Sequence, residues 1–257
     1  MSSAEKEATY RVAFLINSCD AYSDLWEPFF TYLFKNWAHC QFDIYLIANF
    51  KTYSHARVTV INVGEDVSYA DNLRAALGLI DADWILLWFD DAFICQHVDD
   101  DRLLKILRDA EESNSPFIQL SPDLPVSYEH PTGDIGIVPH GVKYRTAVGV
   151  NFIKKDLLLQ LVPPGISAWE MDRSDMSDRL SIDVYALTRD AATAPPIESI
   201  HAVAKGRWIR SAYPILKNDG WDDLLKGRGI QPFWEHIYFR LYHLRGKIYK
   251  ALSIYWR

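Results

Sequence analysis

Four stretches of the chain, Tyr10 to Asn17, Phe42 to Ala48, Val58 to Val63 and Trp84 to Phe89, are near-continuous apolar runs short enough to be single strands. Runs of this kind belong to strands covered on both faces, as in a parallel sheet with helices on either side. Between them the period changes to that of a helix. Asp24 to Ala38 places Leu25, Phe29, Tyr32, Leu33 and Trp37 on one face, and a second stretch continues through Leu73, Ala76, Leu77 and Ile80. Ser68-Tyr69-Ala70-Asp71 has the spacing of a capping box at the start of that second helix. After Trp84 to Phe89, helical periodicity resumes over Asp101 to Glu112. The first part of the chain therefore reads as βαβ units building an α/β sheet.

From Pro116 the texture changes. Pro116, Pro122, Pro125, Pro131 and Pro139, with Gly133, Gly136 and Gly141, punctuate a stretch of loops that follows a strand at Phe117 to Leu120. Val148 to Ile153 reads as a strand, Lys155 to Leu161 as a short helix, Pro163-Pro164-Gly165 as a turn, and Met176 to Leu187 as a further helix. The chain has 257 residues, 49% apolar and 24% charged, with no internal repeat and no low-complexity tract. It is long enough for one large domain, or at most two.

No apolar run approaches the roughly 20 residues that cross a bilayer. The opening Met-Ser-Ser-Ala-Glu-Lys-Glu does not have the pattern of a secretory signal. Cys19, Cys40 and Cys95 are odd in number and lack Cys-x-x-Cys spacing, so the reducing cytoplasm is the expected compartment. Aromatic residues are abundant at 14%; a large core, a carbohydrate site and a membrane-facing surface all use such rings.

Charge is divided unevenly. Residues 226–257 carry seven basic side chains against Glu235 alone, a net +6, which leaves −13 on residues 1–225 out of the overall −7. At 100° per residue a helix from Phe233 to Arg257 puts Trp234, Ile237, Leu241, Leu244, Ile248, Leu252 and Tyr255 in one stripe about 80° wide. Arg240, Lys247, Lys250 and Arg257 fall outside it. This is the pattern of a helix lying on an anionic bilayer, and equally of a helix whose stripe packs on its own domain. An acidic body without a recognised binding module argues against nucleic acid.

In open α/β sheets ligands collect beyond the carboxyl ends of the strands. Asp90 and Asp91 stand at one such end. Adjacent carboxylates repel each other, and a divalent cation bound together with phosphate would relieve the repulsion; a solvated loop cap is the plainer alternative. Asn17-Ser18-Cys19-Asp20 stands at another strand end, where short polar side chains and the helix N-terminus that follows suit a base or phosphate, or a simple turn. No Gly-rich loop is present. P-loop NTPases and dinucleotide dehydrogenases are thereby disfavoured.

The order of these parts resembles nucleotide-sugar-dependent glycosyltransferases of the GT-A fold, particularly bacterial enzymes of capsule and lipopolysaccharide synthesis. The resemblance covers most of residues 10–215. It rests on Ser18-Cys19-Asp20-Ala21-Tyr22 with Leu25 to Phe30, on Ser68 to Leu73 ahead of Trp84 to Asp91, on Ser167-Ala168-Trp169-Glu170, and on Lys205-Gly206-Arg207-Trp208. It implies a mixed, mainly parallel sheet flanked by helices, with a catalytic domain over 8–225, a nucleotide-binding half at about 8–115 and an acceptor half at about 116–225. A basic amphipathic helical tail over 226–257 would follow.

By the same resemblance the donor is a nucleoside-diphosphate sugar contacted by Ser18, Asp20, Ser68, Asn72, Asp90, Asp91 and Lys205. A divalent metal, Mn or Mg, would be held by Asp91 and Asp90 with His201. Glu170 would be the base that deprotonates an acceptor hydroxyl in an inverting transfer, with Asp172 and Asp175 as rivals. The family pattern at the metal is Asp-x-Asp, whereas the acids here are adjacent. Tyr128 and Tyr144, in the loop region from Ser121, are residues that could stack on a sugar. The implied acceptor is a surface polysaccharide or lipid-linked glycan, reached from the cytoplasmic face of the membrane. A phosphate-ester hydrolase and a non-catalytic glycan-binding or assembly protein of the same fold remain as alternatives.

Overall fold

A computed structural model describes residues 10–120, 124–147, 149–172 and 176–238, together with Leu241 and Leu244. The first strand, β1 (Val12–Asn17), runs through a 3-10 turn into α1 (Trp26–Asn36), followed by β2 (Asp43–Ala48), β3 (Val58–Asn62), α2 (Tyr69–Leu77) and β4 (Trp84–Phe89). Then come β5 (Ala92–Ile94), α3 (Asp100–Glu112), β6 (Phe117–Gln119), β7 (Tyr128–Glu129), β8 (Ile135–Ile137), β9 (Asn151–Lys154) and α4 (Lys155–Leu161). The remainder comprises α5 (Ala168–Asp172), α6 (Met176–Arg179), β10 (Tyr185–Leu187), β11 (Ser199–His201), β12 (Val203–Ala204), β13 (Arg207–Trp208), α7 (Tyr213–Asn218) and α8 (Asp222–Leu225).

Among the described residues one nine-stranded sheet has the order β3-β2-β1-β4-β9-β6-β10-β8-β7. The block β3-β2-β1-β4 is parallel throughout. Strand β9 is antiparallel to both β4 and β6, and β8 is antiparallel to β10 and β7. Every other strand runs in the common direction, so the sheet is mixed and mainly parallel, as expected. The segments before and after Pro116 share it, because β9 inserts between β4 and β6.

Alternation along the central strands sorts side chains to two faces. Phe14, Ile16, Trp84, Leu86 and Trp88 pack with Phe29, Phe30, Leu33 and Trp37 of α1 and its end, and with Leu103, Ile106 and Leu107 of α3. Ala13, Leu15, Ile85 and Leu87 pack on the opposite side with Leu73 and Leu77 of α2 and Leu157 and Leu158 of α4. Much of the aromatic excess is thereby accounted for by the core: Trp37, Trp84, Trp88 and Trp208 are fully buried. The Trp84 indole N–H donates to Glu111 Oε1 at 2.6 Å and that of Trp88 to the Ala92 carbonyl at 2.6 Å, which meets the hydrogen-bonding need of these two indoles.

Ser68 caps α2 as its sequence suggests, its hydroxyl oxygen accepting from the Asp71 N–H at 3.0 Å. Ser68→Ala is expected to lower stability by about 1 kcal/mol, read as a fall of about 2–4 °C in melting temperature. The helix expected over Met176 to Leu187 is not formed as such. Only α6 is helical; Ser181 takes a left-handed backbone with φ 52°, and Tyr185–Leu187 becomes β10, paired with β6 and β8. Local periodicity loses here to burial: Tyr185, Ala186 and Leu187 all go inside as a strand.

Candidate functional site

The carboxyl ends of β1 and β4 are neighbours in register, Asn17 beside Phe89. Beyond them opens a cavity of about 320 Å³, lined by Asn17, Ser18, Cys19, Tyr22, Asp66, Tyr69, Asn72, Phe89, Asp90 and Asp91. Its size lies at the small end of ligand pockets. Three strand ends meet here: the loop after β1, the turn after β4, and the loop after β3 that leads through Asp66 to the start of α2.

Asp90 is only 4% exposed. The Ser18 hydroxyl donates to Asp90 Oδ2, and Ser18 Oγ in turn accepts from the Trp26 indole N–H at 2.7 Å. Burial pushes the Asp90 carboxyl well above the ordinary carboxylate range; the Ser18 hydrogen bond opposes this and the Asp91 charge adds to it. Asp91 is raised as well, again mainly by burial, with the nearby His201 imidazole and then Arg228 acting in the opposite sense. Asn72 donates to Asp66 Oδ1 at 2.6 Å. The remaining wall holds two buried polar atoms without a hydrogen-bond partner, the Asn17 amide nitrogen and the Tyr69 hydroxyl. Burial also drives the Tyr69 hydroxyl far above its usual pKa, with the adjacent Asn17 amide acting in the opposite sense. An unmet buried polar group costs about 1–3 kcal/mol. Here the two groups are neighbours, and the Asn17 amide acts on the Tyr69 hydroxyl as a hydrogen-bond donor.

Four of the residues expected to contact a donor, Ser18, Asn72, Asp90 and Asp91, line this one cavity. The others stand outside its lining. Asp20 accepts the backbone N–H groups of Asn49, Phe50 and Lys51 at 2.9 to 3.2 Å, binding the loop after β1 to the end of β2. Burial acts to raise its pKa, but these amides outweigh it and hold the carboxyl below its usual value. Ser68 serves the α2 cap. Lys205 is exposed and, with Gly206, forms the two-residue turn between β12 and β13, both at positive φ of 51° and 74°. That is the backbone a tight hairpin requires.

Glu170 is exposed and does not line the cavity. Its Oε2 accepts from the Ser167 N–H at 2.8 Å and the Ser167 hydroxyl at 2.7 Å, while the Glu170 N–H reaches Ser167 Oγ at 3.3 Å. This reciprocal arrangement is a capping box at the start of α5. The helix nevertheless stands next to the cavity wall. The Ile166 carbonyl accepts from the Ala70 N–H at 3.1 Å, and the Asp172 charge is felt at Tyr69. Asp175 lies outside the described residues, as do 121–123 at the start of the proposed acceptor loop. Tyr144 of that loop is exposed, with φ 62°.

His201 is brought to Asp91 by the pairing of β11 with β5, where His201 stands opposite Ala92. Its side chain is exposed and outside the cavity lining. Among the described residues no three His, Cys, Asp or Glu side chains converge as a metal-holding group. Of the expected Asp90, Asp91 and His201 set, the two carboxyls line the cavity, and the imidazole stands outside that lining with its charge felt at Asp91. What remains is a pair of carboxylates. Mg²⁺ is commonly held by one or two carboxylates with phosphate oxygens and water completing the shell, and the Asp90-Asp91 pair fits that mode.

One cation at the site is absent from the sequence-based expectation. Arg228, read from the sequence as part of the basic tail, returns to the rim, where Nε and Nη2 donate to the two Asp24 oxygens at 2.7 and 2.6 Å. Its guanidinium lies 4.5 Å from the Tyr22 ring centroid, and its charge lowers the pKa of both Asp90 and Asp91. Tyr69 and Asp66 also line the cavity beyond the sequence-based expectation; Asp66 lies four residues after β3, at a strand end where ligands gather.

The sequence matches no family model and no curated protein. Solved structures give distant likenesses. S. aureus TarS residues 1–349 align over 69% of this chain and 60% of that chain, with 12% identity and a TM-score of 0.45. The same TarS segment in complex with UDP-GlcNAc aligns with 11% identity and a TM-score of 0.41 over 58% of its length. A cytidylyltransferase from Leptospira borgpetersenii serovar Hardjo-bovis aligns over 87% of this chain and all of its own, with 10% identity and a TM-score of 0.46. The chain thus spans less than two thirds of the TarS segment, and likeness at this level carries neither an activity nor a ligand across.

Proposed function

We propose that the chain is a glycosyltransferase that moves a sugar from a nucleoside-diphosphate donor to a hydroxyl of a glycan or lipid-linked acceptor at the cytoplasmic face of the membrane. The observation that carries the reading is the cavity itself, where two carboxyls of raised pKa stand at adjoining strand ends among the polar side chains of Asn17, Ser18, Asp66 and Asn72. Asn17, Ser18, Asp66, Tyr69 and Asn72 offer the mixed donors and acceptors that a base and ribose need. Asp90 and Asp91, with Arg228 held by Asp24 outside the cavity lining and its charge felt at both, would form the charged end, suited to the diphosphate. Asp90 and Asp91 would hold a divalent ion, which would supply charge neutralisation for the leaving group.

In the reaction the acceptor oxygen attacks C1 of the sugar, the C1–O bond to the diphosphate breaks with its electron pair leaving on the nucleotide, and a base takes the hydroxyl proton. The resemblance assigns the base to Glu170, and the placement of α5 beside the Tyr69 wall supports a role for this helix. The test is incubation with a panel of nucleotide sugars and a glycolipid or polysaccharide extract, following free nucleoside diphosphate. Release that requires acceptor supports transfer. Release without acceptor, or inorganic phosphate from simple esters, favours a hydrolase; binding without turnover favours a glycan-binding protein.

Arg228→Gln is expected to weaken a nucleoside diphosphate about tenfold, the value of one charge-assisted hydrogen bond, while the bare nucleoside binds as before. Calorimetric titration of both ligands measures this. Equal loss for the two would mean that Arg228 supports the fold of the rim through Asp24 and Tyr22, not the phosphate.

A further inference from the structure

We infer that the helix opening at Phe233 is a docking element for an anionic lipid bilayer. Residues 233–238 are helical, and the root of this helix is tied to the body. Gln231 donates its N–H to the Trp208 carbonyl at 2.8 Å, Arg207 pairs with Glu235 at 3.9 Å, and the Arg210 guanidinium lies 5.9 Å from the Phe233 ring centroid. The apolar stripe is turned elsewhere. Trp234 is 70% exposed, Ile237 40%, Leu241 60% and Leu244 54%. These are the first four members of the stripe read from the sequence, and in the described residues the domain does not cover them. Phe233 and Tyr238 add two further exposed rings.

Charge decides between the occupants. The stripe belongs to a segment of net +6 joined to a body of net −13. An acidic protein surface would answer the charge but not the row of exposed Trp, Ile and Leu side chains. An anionic bilayer answers both, with headgroups for the basic side chains and the interface for the apolar ones. The acidic body is repelled by the same surface, so approach is confined to the tail. Arg228 lies five residues before Phe233, a reach of at most about 18 Å along the chain. Docking therefore brings the rim of the cavity near the lipid. The inference rests on the exposed stripe and the charge, and it stands whether or not the cavity catalyses sugar transfer.

The experiment is sedimentation of the full chain with vesicles of phosphatidylcholine alone and with 30% phosphatidylglycerol. Binding to the anionic vesicles at least tenfold tighter than to the zwitterionic ones is expected, and it should fall in high salt. Trp234→Glu with Leu241→Glu, at exposed positions, should abolish it without a change in melting temperature. Arg240→Gln with Lys247→Gln and Lys250→Gln should weaken it about tenfold or more. Equal binding to both vesicles, no binding, or binding untouched by the double glutamate variant overturns the inference. So does a wild-type dimer in light scattering that the double variant makes monomeric, since the stripe would then belong to a second copy.

Discussion

Asp90→Asn is expected to make the protein more stable and unable to bind its nucleotide. The Asp90 carboxyl is buried and its pKa lies well above the ordinary range, so at neutral pH the folded state either holds a charge where it is disfavoured or takes up a proton to avoid it. A folded pKa above the unfolded value means stability that is fully present below the unfolded pKa, about 4, and lost as pH rises through the folded pKa. Asparagine does not titrate and can still accept from Ser18. The variant should therefore gain on the order of 1–3 kcal/mol at pH 7–8. The gain should shrink as pH falls towards 4, where the wild-type carboxyl is neutral in both states. Binding should move the other way, with affinity for a nucleoside diphosphate and divalent metal falling a hundredfold or more, since a carboxamide is a poor ligand for a hard cation. Thermal melts across pH and a nucleotide titration check both halves. A variant that binds nucleotide normally would place the diphosphate away from Asp90.

Glu170→Gln separates chemistry from structure. Glutamine serves a capping box as glutamate does, so the start of α5 should survive and the melting temperature should be unchanged. If Glu170 is the base, transfer should fall about a hundredfold or more, with nucleotide affinity intact. The present geometry commits one Glu170 oxygen to Ser167, so the acceptor must compete with that contact. A full transfer rate would leave Glu170 as the cap alone, and Asp172→Asn would become the decisive variant, since Asp172 is the α5 carboxylate whose charge is felt at the cavity wall.

The central sheet was legible because its strands are buried on both faces, so that Val12–Asn17, Asp43–Ala48 and Trp84–Phe89 each announce themselves as apolar runs. The short pieces were not. Strands β5, β7, β8 and β11 to β13 have two or three residues each, too few to show a period, and they exist because distant partners complete them. The same limit hid β10 inside a helical pattern.

At the site, strand-end logic found Ser18, Asp90 and Asp91, which depend on where a strand stops. It did not find Arg228, which reaches Asp24 across 204 residues of chain. Nor could it tell that Asp20 is occupied by three backbone amides, or that Lys205 sits in a hairpin turn, because both facts depend on neighbours that only the fold supplies.

The most direct measurement is the melting temperature of the wild-type chain with nucleoside diphosphates, each with and without Mg²⁺ or Mn²⁺, beside Asp90→Asn as control. A ligand at a hundredfold excess over its dissociation constant adds about 2.7 kcal/mol, which corresponds to a rise of roughly 5–10 °C for a chain of this size. The cavity account predicts such a rise for at least one nucleoside diphosphate, larger with metal and absent in Asp90→Asn. A folded wild-type protein that shifts with none of them, or a shift that persists in Asp90→Asn, contradicts it.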